Sequence, residues 1–296
     1  MQLRHAIEAA LGEPIVSASP SHGGFSPAFA GAVIGQSGRG RFVKATGLSL
    51  NPDSPGIYAR EARIAEALPE RAAAPRLQAV IEEDGWIALV FDLLDGHNPT
   101  LPWRRNDLDR VVAALQQQFA VLTPSPIDVA PASDTFAVAI NGFGRLQALP
   151  PAGLDAWSRR HLDRLAEIEF HAPDASRGET LLHLDVRADN IVLTPDRVYI
   201  VDWPWAAVGA WWIDVLAMAS SVTMQGGPSP EDFLAAFPAA SQVDPGAIDA
   251  VLAAIAGYFT HSALRPAPQG LPTLRAFQAA QGEVARMWLA QRLGWE

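Results

Sequence analysis

Hydrophobic positions change their spacing along the chain, and the change divides it. Leu3, Ile7 and Leu11 recur every four residues, which predicts a short helix, with a loop running on to Ser19 and Pro20. Residues 29–34 and 41–46 are short apolar runs joined by the glycine-containing stretch 35–40, the pattern of a β-hairpin. After a loop at 51–55, Ser54 is placed to cap a helix with Pro55 in its first turn, and Pro69 stops that helix near Leu68. Residues 78–83 and 86–91 form a second hairpin around Asp84-Gly85, a strong turn pair.

Residues 95–99 break this pattern and read as a linker. Beyond it, helical periodicity covers 107–122, 154–170, 213–221, 230–237, 245–260 and 271–293. The Pro- and Gly-rich stretch 123–151 reads as irregular, with a short helix at 136–140. Embedded among the helices is one more hairpin: Ile191-Val192-Leu193, a turn at 194–197, then Val198 to Val201 running into Asp202. The expected fold class is therefore α+β, with an N-terminal β-rich part at 1–95 holding one long helix and a larger helical part at 96–296.

Composition narrows the function classes. A hydrophobic share of 49% supports a sizeable core, and no apolar run reaches the ~20 residues of a membrane helix. The polar N-terminal residues do not resemble a signal peptide, so cytoplasmic residence without membrane association is the expectation. The chain has no cysteine, which excludes disulfides, thiolate metal sites and a cysteine nucleophile. A net charge of −10 argues against nucleic acid as a partner.

The chemistry concentrates in His183-Leu184-Asp185-Val186-Arg187-Ala188-Asp189-Asn190 and the following Val201-Asp202-Trp203. Asp185 is suited to orient an attacking hydroxyl and take its proton, while Asn190 and Asp202 offer the hard oxygen ligands that Mg²⁺ prefers. Upstream, Lys44, the chain's single lysine, lies in the apolar run Phe42-Val43-Lys44-Ala45. A buried ammonium needs a partner, and Glu61 is a carboxylate in an apolar helical stripe with Ile57, Ile64, Ala65 and Leu68. The pair has the composition of the ion pair that steadies the α- and β-phosphates of a nucleotide.

The pattern His-x-Asp-x-x-x-x-Asn followed by a hydrophobic strand ending in Asp resembles the catalytic and metal loops of the aminoglycoside phosphotransferase family. That resemblance implies a bilobal protein-kinase-like fold and an ATP- and Mg²⁺-dependent transfer to a hydroxyl of a small molecule, with GTP as the alternative donor. It places Gly23, Gly24 and Ser26 in a phosphate-covering turn, where glycines let amides approach phosphate oxygens. It places Phe91 and Leu93 at the connection whose backbone meets adenine. It leaves Arg187 with two roles, neutralising the transferring phosphoryl group or pairing with Asp189. His183 and Asp214 are expected to shape and anchor the loop. An aminoglycoside acceptor would look to carboxylates such as Glu231, Asp232, Asp249 and Glu283 in the helical part. Sugars, amino alcohols, nucleosides and macrolides are compatible acceptors, and either a monomer or a homodimer is compatible with the chain. Two departures stand out: Leu184 occupies the usual glycine position, and Val186 replaces the commoner leucine. Trp211-Trp212 follow Asp202 within about ten residues, too few for the long activation segment of a protein kinase.

Overall fold

The computed structural model describes residues 2–21, 29–268 and 271–295. In chain order its elements begin α1 (Gln2–Leu11), β1 (Ile15–Pro20), β2 (Phe29–Gly35), β3 (Gly40–Gly47), α2 (Ser54–Ala67), β4 (Leu77–Glu83) and β5 (Trp86–Asp92). They continue with α3 (Arg105–Val121), α4 (Ala132–Val138), α5 (Gly142–Ala148), α6 (Ala156–Phe170), α7 (Ala172–Ala175), β6 (Thr180–Leu182), β7 (Ile191–Leu193), β8 (Val198–Ile200) and β9 (Ala207–Gly209). Four helices close the chain: α8 (Trp212–Met224), α9 (Pro230–Ala235), α10 (Pro245–Ala263) and α11 (Leu274–Leu293). Among the described residues, no helix is long and apolar enough to cross a membrane. The chain divides into two compact units, Met1–Asn98 with Asp189–Trp205, and Pro99–Ala188 with Ala206–Glu296.

The first unit is built on an antiparallel sheet of order β1-β2-β3-β5-β4. Side chains alternate across a strand, so β5 serves two cores. Ala88 and Val90 join Ile7, Ile15, Val33, Val43, Ala45 and Ile81 on the face that α1 covers. Ile87, Leu89 and Phe91 join Tyr58 and Ala62 on the α2 face. Because both faces are covered, β5 is a continuous hydrophobic run rather than an alternating one. The same alternation along β3 sends Val43 and Ala45 toward α1 and puts Phe42 against the α2 cluster, which places Lys44 on the α2 side.

The expected hairpins form, and Asp84 (φ 48°) and Gly85 (φ 78°) are both left-handed, as a two-residue primed turn requires. Two local expectations change. The predicted loop before Pro20 is strand β1; it pairs with β2 at the sheet edge and buries only Ile15, so its outward residues carry no hydrophobic alternation. Ser54 begins α2 without capping it: the Asn51 side chain accepts from the amides of Asp53 and Ser54 at 2.8 and 3.2 Å.

The short hairpin β7–β8 belongs to the first unit. His97 and Leu193 exchange backbone bonds, and Ile200 donates to the Ala73 carbonyl at 2.6 Å. Asn98 reaches the carbonyls of Asp189 and Ile191, tying down the segment that carries Asn190.

The second unit packs its helices around α10, whose residues from Ala250 through Gly257 are all buried. The stretch expected to be irregular holds two helices, α4 and α5. Gly142-Phe143-Gly144, which superficially resembles half a dinucleotide fingerprint, is the N-terminus of α5. Its three amides donate to the buried Glu169 carboxylate at 2.9, 3.1 and 2.7 Å. Burial pushes that carboxyl up to about 7 although the three amides pull it down. A Cβ on Gly142 would stand 1.9 Å from the Gly257 carbonyl carbon, so α5 and α10 approach backbone to backbone. Neighbouring strands of three residues, β6 and β9, pair in the same unit, too short to leave a periodic signal.

Glu169→Ala should leave three amide donors at a buried helix start without an acceptor and lower stability by about 3 kcal/mol or more. Denaturant unfolding of the variant measures this, and a loss under about 0.5 kcal/mol, the usual size for an inconsequential surface substitution, would refute the pinning role.

Candidate functional site

Lys44 sits in the middle of β3, paired by register with Ala30 on one side and Leu89 on the other. Its ammonium lies 2.6 Å from Glu61 Oε2 and 2.7 Å from Asp202 Oδ1, and 5.2 Å from the Tyr58 ring centre. Burial alone would drive the ammonium toward neutrality, but the charges of Glu61 and Asp202 overcome it and hold the proton more tightly than on a free lysine. Glu61 is almost fully buried; its carboxyl is pushed up by desolvation, against which Lys44 and the Trp203 amide favour the ionised form. The buried face of α2 is Ser54, Tyr58, Glu61, Ala62 and Ile64, so Glu61 lies one helical turn from the aromatic ring that Lys44 also meets.

Asp202 follows β8 and adopts a left-handed backbone, φ 69°. An L-residue in that region costs roughly 1–2 kcal/mol, and Asp tolerates it better than most. The turn is secured by Trp203, whose buried indole donates to the Ile200 carbonyl at 2.9 Å. Asp202 keeps a side-chain exposure of 43%, against 3% for Glu61. The carboxylate therefore stays open to solvent while it binds Lys44. Asn190 ends the preceding loop: its carbonyl accepts from the Val201 amide at 2.9 Å, so the hairpin register sets Asn190 and Asp202 at the same end of β7–β8. An amide oxygen and a carboxylate are suited to Mg²⁺ and poorly suited to soft metals.

Two further nucleotide-binding candidates of the first unit are placed. The Phe91 side chain is buried in the α2-side core, and Leu93, just past β5, is exposed. Gly23, Gly24 and Ser26 lie outside the described residues.

The second unit carries the loop with Asp185. Here Asp214, in the first turn of α8, is buried and accepts from the amides of His183 and Leu184, both at 2.8 Å. Burial raises its carboxyl to about 6, and the two amides pull the other way. His183 is buried too, and its Nδ1 accepts from the Asp185 amide at 3.2 Å. These bonds bend the chain so that Leu184 is left-handed, φ 60°. The leucine at the glycine position thus takes a conformation that glycine adopts freely, forced by the Asp214 acceptor pair. The Asp185 carboxylate, partly exposed, lies 3.5 Å from Arg187 Nε, and Arg187 stands over the Phe277 ring at 5.4 Å.

Of the four carboxylates considered for an amine-rich acceptor, Glu283 is exposed and the other three are engaged. Arg292 binds Glu231 at 2.6 Å and Asp249 at 2.5 Å, and Asp232 accepts from the Ser229 hydroxyl at 2.6 Å. Sequence reading passed over three residues that position the loops: Glu169, Asn98 and Asn51 act on backbone groups, and only Asn51, next to a helix start, left a recognisable signal.

Comparison with known proteins identifies the family and the fold. The profile of the phosphotransferase enzyme family (APH) matches residues 36–251. No curated protein matches the chain by sequence. Among solved structures, a thermostable aminoglycoside phosphotransferase APH(4)-Ia in ternary complex with ADP and hygromycin B is similar at a TM-score of 0.64 and 11% identity, covering 99% of both chains. The macrolide 2′-phosphotransferase MphH of Brachybacterium faecium is similar at 0.58 and 18% identity, over 97% of this chain and 96% of that one. Amicoumacin kinase hAmiN in complex with AMP-PNP, Ca²⁺ and Ami is similar at 0.59 and 12% identity, over 91% of this chain and 88% of that one. These likenesses establish the kinase-like fold. Matched over most of its length, the chain belongs to the phosphotransferase enzyme family of small-molecule kinases.

Proposed function

We propose that the protein transfers the γ-phosphoryl group of Mg·ATP, or of Mg·GTP, to a hydroxyl of a small molecule. The observation that carries this reading is the ammonium of Lys44 held between Glu61 and Asp202 at 2.6 and 2.7 Å. The nucleotide with its metal would supply the phosphoryl group and positive charge against its phosphates; Lys44 would contact the phosphates, and Asn190 and Asp202 would ligate Mg²⁺. Asp185 accepts the proton of the acceptor hydroxyl and orients its oxygen for attack. Arg187, beside Asp185, limits the charge of the attacking side. Asp214 and His183 position Asp185 through the loop backbone rather than touching substrate. The engagement of Glu231 and Asp249 by Arg292 weighs against a polycationic aminoglycoside bound through those groups.

Asp185→Asn should lower kcat by about 10²–10⁴-fold, the range for removing a general base, while the nucleotide Kd stays within a factor of three or so. Steady-state kinetics with a titration of Mg·ADP tests both halves; a wild-type kcat in the variant would eliminate Asp185 as the base.

Asp202→Ala should abolish the dependence of nucleotide affinity on Mg²⁺, which calorimetry with and without the metal detects. An unchanged Mg²⁺ dependence would remove Asp202 from the metal site.

The Asp214 anchor gives a pH prediction. Ionised Asp214 accepts two amides; protonation near pH 6 removes acceptor capacity, so kcat should fall below about pH 6. Its carboxyl is raised on folding, so the linked stability is present below its unfolded value of 3.8 and is lost as pH rises through about 6. Acid loss of rate should therefore occur without loss of Tm from this group. An acid limb at the same pH in Asp214→Asn would detach it from Asp214.

A further inference from the structure

Lys44 receives no polar help from its own sheet. Its cross-strand neighbours, Ala30 on β2 and Leu89 on β5, have no polar side-chain atom to offer the ammonium. Its partners among the described residues come from α2 and from Asp202. They are Glu61 Oε2 at 2.6 Å, Asp202 Oδ1 at 2.7 Å and the Tyr58 ring, whose centre lies 5.2 Å away. An ammonium has three N–H donors, and the two carboxylates are served by two of them. The lysine side chain is only 14% exposed, so little of its hydration shell remains. The face of an aromatic ring carries the negative part of its quadrupole and attracts a desolvated cation at this range.

The ring is held by the fold. Tyr58 is buried in the apolar cluster of Ala62, Ile87, Leu89 and Phe91, so the residue opposite Lys44 on β5 belongs to the same packing as the ring. Tyr58 and Glu61 stand three residues apart on the buried face of α2, and the helix thus presents a π face and a carboxylate to one ammonium. These two partners differ in kind. Glu61 compensates the charge, whereas the ring attracts the cation without cancelling it. A second carboxylate from α2 would neutralise the charge that phosphates require, and an aliphatic side chain would leave the ammonium desolvated beside a single helix partner. The difference has weight because Asp202 has two claims on it: it binds Lys44, and in the transfer described above it ligates Mg²⁺. A carboxylate drawn toward the metal loosens its hold on the ammonium, and Glu61 and Tyr58 are then what keep Lys44 in place.

We propose that Tyr58 is a positioning residue for the nucleotide: its ring face holds the Lys44 ammonium on the α2 side of the sheet while Asp202 turns to the metal and the phosphates approach. The proposal rests on the reading above in which Lys44 meets the phosphates.

Ring electronics can be changed with little change of shape. Tyr58→Phe in the full chain is the reference, and phenylalanines carrying one, two and three ring fluorines at the same position weaken the negative face step by step. Calorimetric titration with Mg·ADP should show the nucleotide Kd rising at each step, about tenfold across the series. A packing role does not predict that slope, because fluorination leaves the apolar ring in place. Denaturant unfolding of the same series should show the folding equilibrium constant falling about fivefold when Lys44 is present, and no trend when Lys44→Met is combined with Glu61→Gln. The second change spares the fold an unpaired buried carboxylate. Equal Kd values across the series would overturn the proposal. So would a stability trend that survives loss of the ammonium, which would assign Tyr58 to packing. The underlying reading fails separately. A nucleotide Kd unmoved by Lys44→Met with Glu61→Gln would remove Lys44 from the phosphates, and with it the positioning role, while the stability trend would still report the attraction between ring and ammonium.

Discussion

The constraint on which the first unit turns is the cost of a buried ammonium. Lys44 enters the α2 face of the sheet because β3 alternates, and once there it must be compensated. Glu61 supplies one carboxylate from α2 and Asp202 supplies another from the end of β8. The helix, the central strand and the hairpin are thereby fixed to one point. One cation between two carboxylates leaves the cluster with a net charge of about −1, concentrated on the more exposed Asp202. Hard oxygen donors of this kind are the type that a divalent cation prefers.

The loop that carries Asp185 in the second unit solves a different problem by the same means. Its backbone amides would otherwise be buried donors, and Asp214 accepts two of them from the start of α8. Glu169 does this for α5 with three. In both cases a buried carboxylate is held by main-chain donors, and in both desolvation raises the carboxyl. Main-chain donors of this kind fix shape without depending on the identity of the residues that donate.

Much of the site could be read from residues that violate their surroundings. Lys44 and Glu61 were conspicuous as charges within apolar stripes, and Asp185, Asn190 and Asp202 by their spacing around a hairpin. What stayed hidden leaves no such contrast. Strands β6 and β9 have three residues each and no measurable period. Strand β1 is an edge strand that buries one residue. Helices α4 and α5 have seven residues each and sit in a Pro- and Gly-rich stretch, so turn propensity masked them. Asn98 and Glu169 work through backbone partners far away in sequence, and only three-dimensional proximity reveals them.

Leu184 bears on how such proteins are found. Its left-handed backbone is imposed from outside, by a carboxylate thirty residues downstream, so the position does not require the one residue type that favours the conformation intrinsically. A search keyed to His-Gly-Asp would pass over this chain, whereas one keyed to the distant aspartate and its spacing from the loop would retain it. The loop's signature is better written as a pair of separated positions than as a contiguous word.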